Sequence, residues 1–286
     1  LTRGGGPSAT TLEVAIYQAL RFDFDPARAV TLTALQIILT AGIVLILIRL
    51  GANMAGDANL SVSPRRPITS GPVERIFSAV LIFAALAFVA GPMVAVAISG
   101  LQADLVRLAA DPTVHAATLT SLTLAFCAAV LSLALSLSLV MARRTLELRR
   151  HRNTAPSLLE RLFDTGAGFV LVIPPIVLGA GWFVLMRNTG MVFTVAPLMV
   201  ISVNAIMAMP FAIRAIRPAY DAASARHERL AASLGIAGMN RLRLIDWPVL
   251  RRPLFMAMAF AMALSLGDLG VIALFGSDSV QTLPYL

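Results

Sequence analysis

Six apolar runs alternate with short polar connections along this 286-residue chain. They fall at residues 29–48, 76–99, 116–141, 167–186, 193–213 and 254–275. A helix of about 20 apolar residues crosses about 30 Å of hydrocarbon. Each run therefore predicts one membrane-spanning helix, and the chain as a whole an all-α, polytopic membrane protein.

One long polar stretch interrupts the pattern, between the last two runs. In residues 218–234, Tyr220, Ala223, His227, Leu230 and Leu234 recur at steps of three and four. That spacing puts one apolar stripe on a short helix, with Asp221, Arg226 and Arg229 turned elsewhere. Gly235 follows as a left-handed C-cap, a conformation in which a β-carbon is strained. A second short helix is expected over about 240–247, stopping at Pro248. The product is a compact hairpin, residues 228–253, held at the membrane surface.

Composition narrows the function classes. Mean hydropathy is +0.83 and 58% of residues are hydrophobic, which excludes an ordinary soluble domain. The pI near 11.2 suggests nucleic acid, but every basic residue is Arg and their placement follows the connections between runs. Eighteen of the 23 arginines fall in alternate connections: Arg49 to Arg75, Arg143 to Arg161, and Arg214 to Arg252. The other five are offset by Glu13, Asp23, Asp25, Asp104, Asp111 and Asp278. The arginine-rich side is expected to be cytoplasmic, with the hairpin on it and both chain ends outside. The single Cys127 permits no internal disulfide or cysteine-based metal site. The three histidines are far apart, and no Walker A, H-E-x-x-H or G-x-S-x-G motif occurs. No catalytic residue, cofactor, metal or nucleic-acid partner is expected.

Several intramembrane positions carry polar or helix-breaking residues. The span ending in Arg143 and Arg144 is rich in Ala and Ser, with Cys127 among them, which suits close helix contact in lipid. Pro174 and Pro175 break the fourth run. Carbonyls freed there must find a partner or face a water-filled path, unless the break is a plain packing kink. Asn204 and Pro210 in the fifth run are open to the same two readings. Asp268, in Ser265-Leu-Gly-Asp-Leu-Gly270, is the acidic residue well inside a run, which costs about 2.5–3.5 kcal/mol. It faces either a protein interior and water path or the outer interface. Pro174, Pro175, Asn204 and Asp268 are the candidate translocation path.

The hairpin resembles the EAA loop of ABC importer permeases, whose pattern is Glu-Ala-Ala, three residues, Gly, nine residues, Ile, one residue, Leu-Pro. Gly235, Ile245 and Pro248 fall at that spacing and Ala231 fits the second alanine. Arg229 and Leu230 depart from the pattern, Glu228 stands one place early, and Trp247 replaces Leu. An amphipathic helix lying on lipid is the alternative, although lipid binding needs no fixed Gly-to-Pro distance. The resemblance implies a helical bundle of the type I importer (MetI-like) kind. It also implies Glu228, Ala231, Gly235, Ile245 and Pro248 as the loop that couples to a cytoplasmic ATPase dimer, with a periplasmic substrate-binding protein outside.

The two end segments are most similar to the thiamine (thiamine pyrophosphate) permeases, inner-membrane proteins in which two permease halves are fused; iron(III) permeases are the nearest rival. Gly4–Thr10 and Gly276–Thr282 agree at their first and last positions, as a cut internal repeat would. On that reading residues 1–50 are the tail of a first half with one span and 51–71 are a cytoplasmic linker. Residues 72–286 are then a second half with five spans, lacking its last. A secondary transporter would need more intramembrane ion ligands than one Asp, and a membrane enzyme a convergent His/Glu/Asp or Ser/His set.

Overall fold

The computed structural model describes residues 11–23, 25–49, 71–102, 104–149, 170, 173–186, 190, 194–236, 238–268, 270–275 and 282–285. Among them are helices and turns and no strand. The helices are α1 (Leu12–Arg21), α2 (Pro26–Arg49), α3 (Pro72–Leu101), α4 (Leu105–Ala110), α5 (Pro112–Arg149), α6 (Pro175–Met186), α7 (Ala196–Ser233), α8 (Gly238–Arg241), α9 (Trp247–Leu266) and α10 (Gly270–Phe275). Four stretches are long and apolar enough to cross a membrane: Pro72–Leu101, Pro112–Glu147, Ala196–Glu228 and Gly238–Leu266. Shorter apolar helices occupy Ala27–Ile43 and Pro175–Met186.

The chain divides into two compact units, Asp57–His115 and the remainder. In the smaller unit, α3 opens with Pro72, where a missing N–H costs nothing, and Glu74 lies in its first turn. None of its residues is buried, and Phe77, Phe83 and Phe88 are 67%, 72% and 83% exposed. Covering each such side chain is worth about 1.5–3 kcal/mol, so α3 demands lipid or protein on every face. Asp104 caps α4 through the Arg107 N–H at 3.1 Å. Asp111 accepts from the Thr113 N–H at 2.9 Å and from its hydroxyl, and these bonds hold its carboxyl below the usual range.

The larger unit is built on α5, α7 and α9. Ala129, Ala208 and Ala261 share one buried cluster, small side chains of the kind that suit helix contact in lipid. To one side, Val140, Ile213, Ile216, Tyr220 and Leu250 form a second cluster. To the other, Ile16 and Ala19 of α1 and Ala29 of α2 join Ile176, Val200, Val203, Val271 and Phe275. The small-residue face expected on α5 is buried at Ser121, Ala125, Ala128, Ser132 and Ser136. Cys127 is exposed and does not belong to it.

The boundaries of the apolar runs change in three places. Of the run at 167–186, much of whose start lies outside the described residues, α6 occupies Pro175–Met186, 12 residues that reach about 18 Å. Pro175 begins this helix rather than kinking one. The run at 193–213 continues through Pro210 and Pro218 to Ser233, 38 residues in all. The run at 254–275 breaks after Leu266, and the six-residue α10 follows.

Candidate functional site: the hairpin and the polar break

Pro218 does not begin a new helix. The hairpin's first arm is the continuing end of α7, which closes in a Schellman turn. The Ile236 N–H bonds the Ala231 carbonyl at 2.9 Å and the Leu234 N–H bonds Leu230 at 3.1 Å. Gly235 takes the left-handed conformation expected of it, with φ +65°, and nothing lies within 4 Å of where its β-carbon would point. Gly238 is a second left-handed glycine, φ +59°.

The second arm does not stop at Pro248. Four residues of α8 lead into a π-helical turn, Leu242–Asp246, and then directly into α9. Pro248 follows the π-turn, as the second residue of α9. The extra residue of the π-turn aims Asp246 inward, to 2% exposure.

The stripe on the first arm is buried only in part. Tyr220, Ala223 and Ala231 are covered, and His227 is half-buried with Nδ1 at 3.0 Å from the Ala223 carbonyl. Leu230 and Leu234 are 57% and 63% exposed. Steps of three and four drift around a 3.6-residue turn, and Ala231, four beyond His227, keeps the inner face instead. Met239, Leu244 and Trp247 on the second arm are also exposed, Ile245 is half-buried and Pro248 is exposed.

Charge holds the two arms together, a feature the residue pattern did not disclose. Arg241 reaches back across the glycines to Glu228 Oε1 at 3.1 Å and Ser224 Oγ at 3.4 Å. Its Nε stands 3.8 Å from Asp246 Oδ2. Arg144, from α5, lies 3.6 Å from Glu228 Oε2 and 3.1 Å from Glu147. Asp221 pairs with Arg143 at 3.4 Å and Arg217 at 3.7 Å. These groups belong to the polar connection between apolar runs. Burial lifts the Asp246 carboxyl above the usual range, against the pull of Arg241. The bond to Glu228 pushes the Arg241 guanidinium up. The signal available in the sequence was Asp246 itself, a lone acid in an arginine-rich apolar stretch.

At the far ends of α7 and α9 lies a second polar group. Asn204 is buried and donates from Nδ2 to Ser265 Oγ at 2.9 Å. Asn204 is also a side-chain neighbour of Asp268. Asp268 Oδ1 accepts from the N–H groups of Gly270 at 3.1 Å and Val271 at 3.4 Å, capping α10. Two candidate path residues, Asn204 and Asp268, are thus brought together. Pro174 and Pro175 make no such polar contact among the described residues. They open α6, whose Ile176 and Val177 share a cluster with Val203 and Val271, the chain neighbours of Asn204 and Gly270. Gly267 and Gly270 would meet only ordinary contacts at 3.5 Å and 3.6 Å if given a β-carbon. Neither marks a close backbone approach.

No family model matches the chain. Curated relatives do, along its whole length. It is 56% identical over 286 residues to the Thiamine transport system permease protein ThiP of Brucella abortus. Proteins of the same name from Escherichia coli and Haemophilus influenzae are 39% and 33% identical over 285 and 289 residues. The chain spans about half the length of these relatives, 51–52%. Along all of its residues the chain is similar to about half of each of these transport permeases.

Proposed function

We propose that this chain lines the translocation path of an ATP-driven importer for thiamine or thiamine pyrophosphate in a bacterial inner membrane. A separate cytoplasmic ATPase dimer hydrolyses ATP, and a periplasmic binding protein delivers the substrate. The observation that carries the reading is similarity of the whole chain to about half of permeases of that name, joined to a hairpin with the Gly235-to-Pro248 spacing. Residues 1–50 are the tail of a first permease half, 51–71 a linker and 72–286 most of a second half. The arginine-rich connections face the cytoplasm and both ends of the chain the periplasm.

The hairpin, through Glu228, Ala231, Gly235, Ile245 and Pro248, is the element that meets the ATPase. Its exposed Leu230, Leu234, Met239, Leu244 and Trp247 are apolar surface that a partner groove would cover. Asn204 and Asp268 border the substrate path, with Pro174 and Pro175 at the start of the short α6 beside it. A carboxylate in a dehydrated path offers the thiazolium cation a compensation much stronger than in bulk water. ATP binding selects one of two arrangements of the packed bundle, and the path opens to one side or the other.

The test is reconstitution. With ATPase and binding protein in proteoliposomes, labelled thiamine should accumulate only when ATP is supplied. Uphill uptake by the permease alone, driven by an ion gradient, would reverse the reading toward a secondary transporter.

A further inference from the structure

The Arg241 side chain, on the second arm of the hairpin, touches both the first arm and the π-turn that leads into α9. Its Nη1 is 3.1 Å from Glu228, its Nη2 3.4 Å from Ser224 and its Nε 3.8 Å from Asp246. Glu228 is in turn held by Arg144, which ties the hairpin to the end of α5. The glycine link that these groups bridge has two left-handed residues, Gly235 and Gly238, with open space around both. Glycine has the most permissive backbone of any residue, and the planar guanidinium fork adds a directional tie across the link.

We propose that Arg241 is a positioning residue for coupling. It sets the angle of the hairpin, so that a push on the hairpin moves α5, α7 and α9 as one body rather than bending the glycine link. This rests on the hairpin being the element that meets the ATPase. The acids facing Arg241 are Glu228 and Asp246; Arg144 shares Glu228 from α5. Without Arg241, Asp246 keeps its buried place in the π-turn beside His227 but loses its guanidinium, and the polar tie between the arms is gone. Attraction to the ATPase is not the role of Arg241, because its guanidinium is already occupied by its own chain.

The experiment compares Arg241→Met, Arg241→Lys and Gly235→Asp in the intact importer, reconstituted with ATPase and binding protein at matched amounts of inserted complex. Three quantities are read: ATPase retained on purification, ATP hydrolysed, and labelled thiamine moved per ATP. Arg241→Met should keep the ATPase bound and hydrolysis running while thiamine moved per ATP falls about tenfold, within the span of ordinary coupling energies. Arg241→Lys keeps the charge but not the fork, and should lose about threefold by the same measure. If Arg241→Met fails to insert, the Lys variant carries the test. A wild-type ratio of thiamine to ATP in either inserted variant overturns the proposal. If Gly235→Asp alone releases the ATPase, the coupling reading survives that result. If neither Gly235→Asp nor Arg241→Met changes any of the three quantities, the coupling reading falls as well.

Discussion

Gly235→Asp separates the strength of the hairpin from its use. With φ at +65°, a β-carbon costs about 1–2 kcal/mol in the left-handed region, and Asp, which can bond locally, lies at the lower end. Nothing stands within 4 Å of the new atom, so no clash adds to that figure. Ordinary domains carry about 5–15 kcal/mol of stability, and the variant should fold and insert at near-normal abundance. The larger effect is at the partner. A carboxylate pressed unpaired into an interface costs about 3–5 kcal/mol, which is roughly a hundredfold or more in affinity. The assay is co-purification of the ATPase in detergent beside binding-protein-stimulated hydrolysis and thiamine uptake. Gly235→Ala supplies the strain without the charge and should lose less than about tenfold. Arg226→Ala, at an exposed site, should shift assembly by about 0–1 kcal/mol. Retention of both ATPase and uptake by Gly235→Asp would refute the reasoning and leave the segment a helix lying on lipid.

Three other outcomes are expected. Asp268→Asn should insert and assemble normally but transport thiamine poorly; unchanged uptake would make Asp268 a structural cap and nothing more. Asn204→Leu removes the bond to Ser265, worth about 0.6–1.7 kcal/mol between membrane helices. Thermal unfolding in detergent should fall by about 2–4 °C per kcal/mol lost, and a rise would mean that the pair is strained. Cysteine placed at the exposed Ser233 should resist an impermeant reagent applied from outside the cell, whereas labelling there would invert the orientation. Ser224 is buried beside Arg241 and is unsuitable for such labelling.

Hydropathy announced the helices because crossing lipid forces apolar length, and that constraint is written residue by residue. It could not announce the helix ends. Pro218 reads as a boundary on local rules, yet α7 runs through it, because Ile216 and Tyr220 on either side are buried against Val140 and Leu250. Pro175 reads as a kink, yet it fits the first position of a helix without loss. The left-handed Gly235 was legible because one residue's backbone decides it. The Arg241 clamp was not, since it depends on partners 13 and 17 positions away and on a π-turn that no local pattern marks. Asn204 and Asp268 were each visible as polar residues in apolar runs. Their meeting was not, because it is set by how α7 packs against α9 through Ala208 and Ala261.

The break at Gly267 and Asp268 gives one carboxylate a part in the fold that is separable from the transport role proposed for it. Its Oδ1 satisfies two N–H groups that open α10, which would otherwise stand unpaired at a helix start. Its Oδ2 is buried, with the Asn204 side chain as a neighbour of the carboxylate. An Asn side chain keeps an oxygen for the cap and replaces the other with an amide, so the cap and the charge can be removed separately. The cap matters beyond α10, because Val271, Ile272 and Phe275 pack on α6 and α1, with the Phe275 ring 6.4 Å from Phe183. Asp268 ends the polar group begun by Asn204 and Ser265, on the two helices that run without interruption to the hairpin. Substrate and ATPase would then act on opposite ends of α7 and α9, and each must bias the same two arrangements of those helices for transport to consume ATP only when thiamine is present.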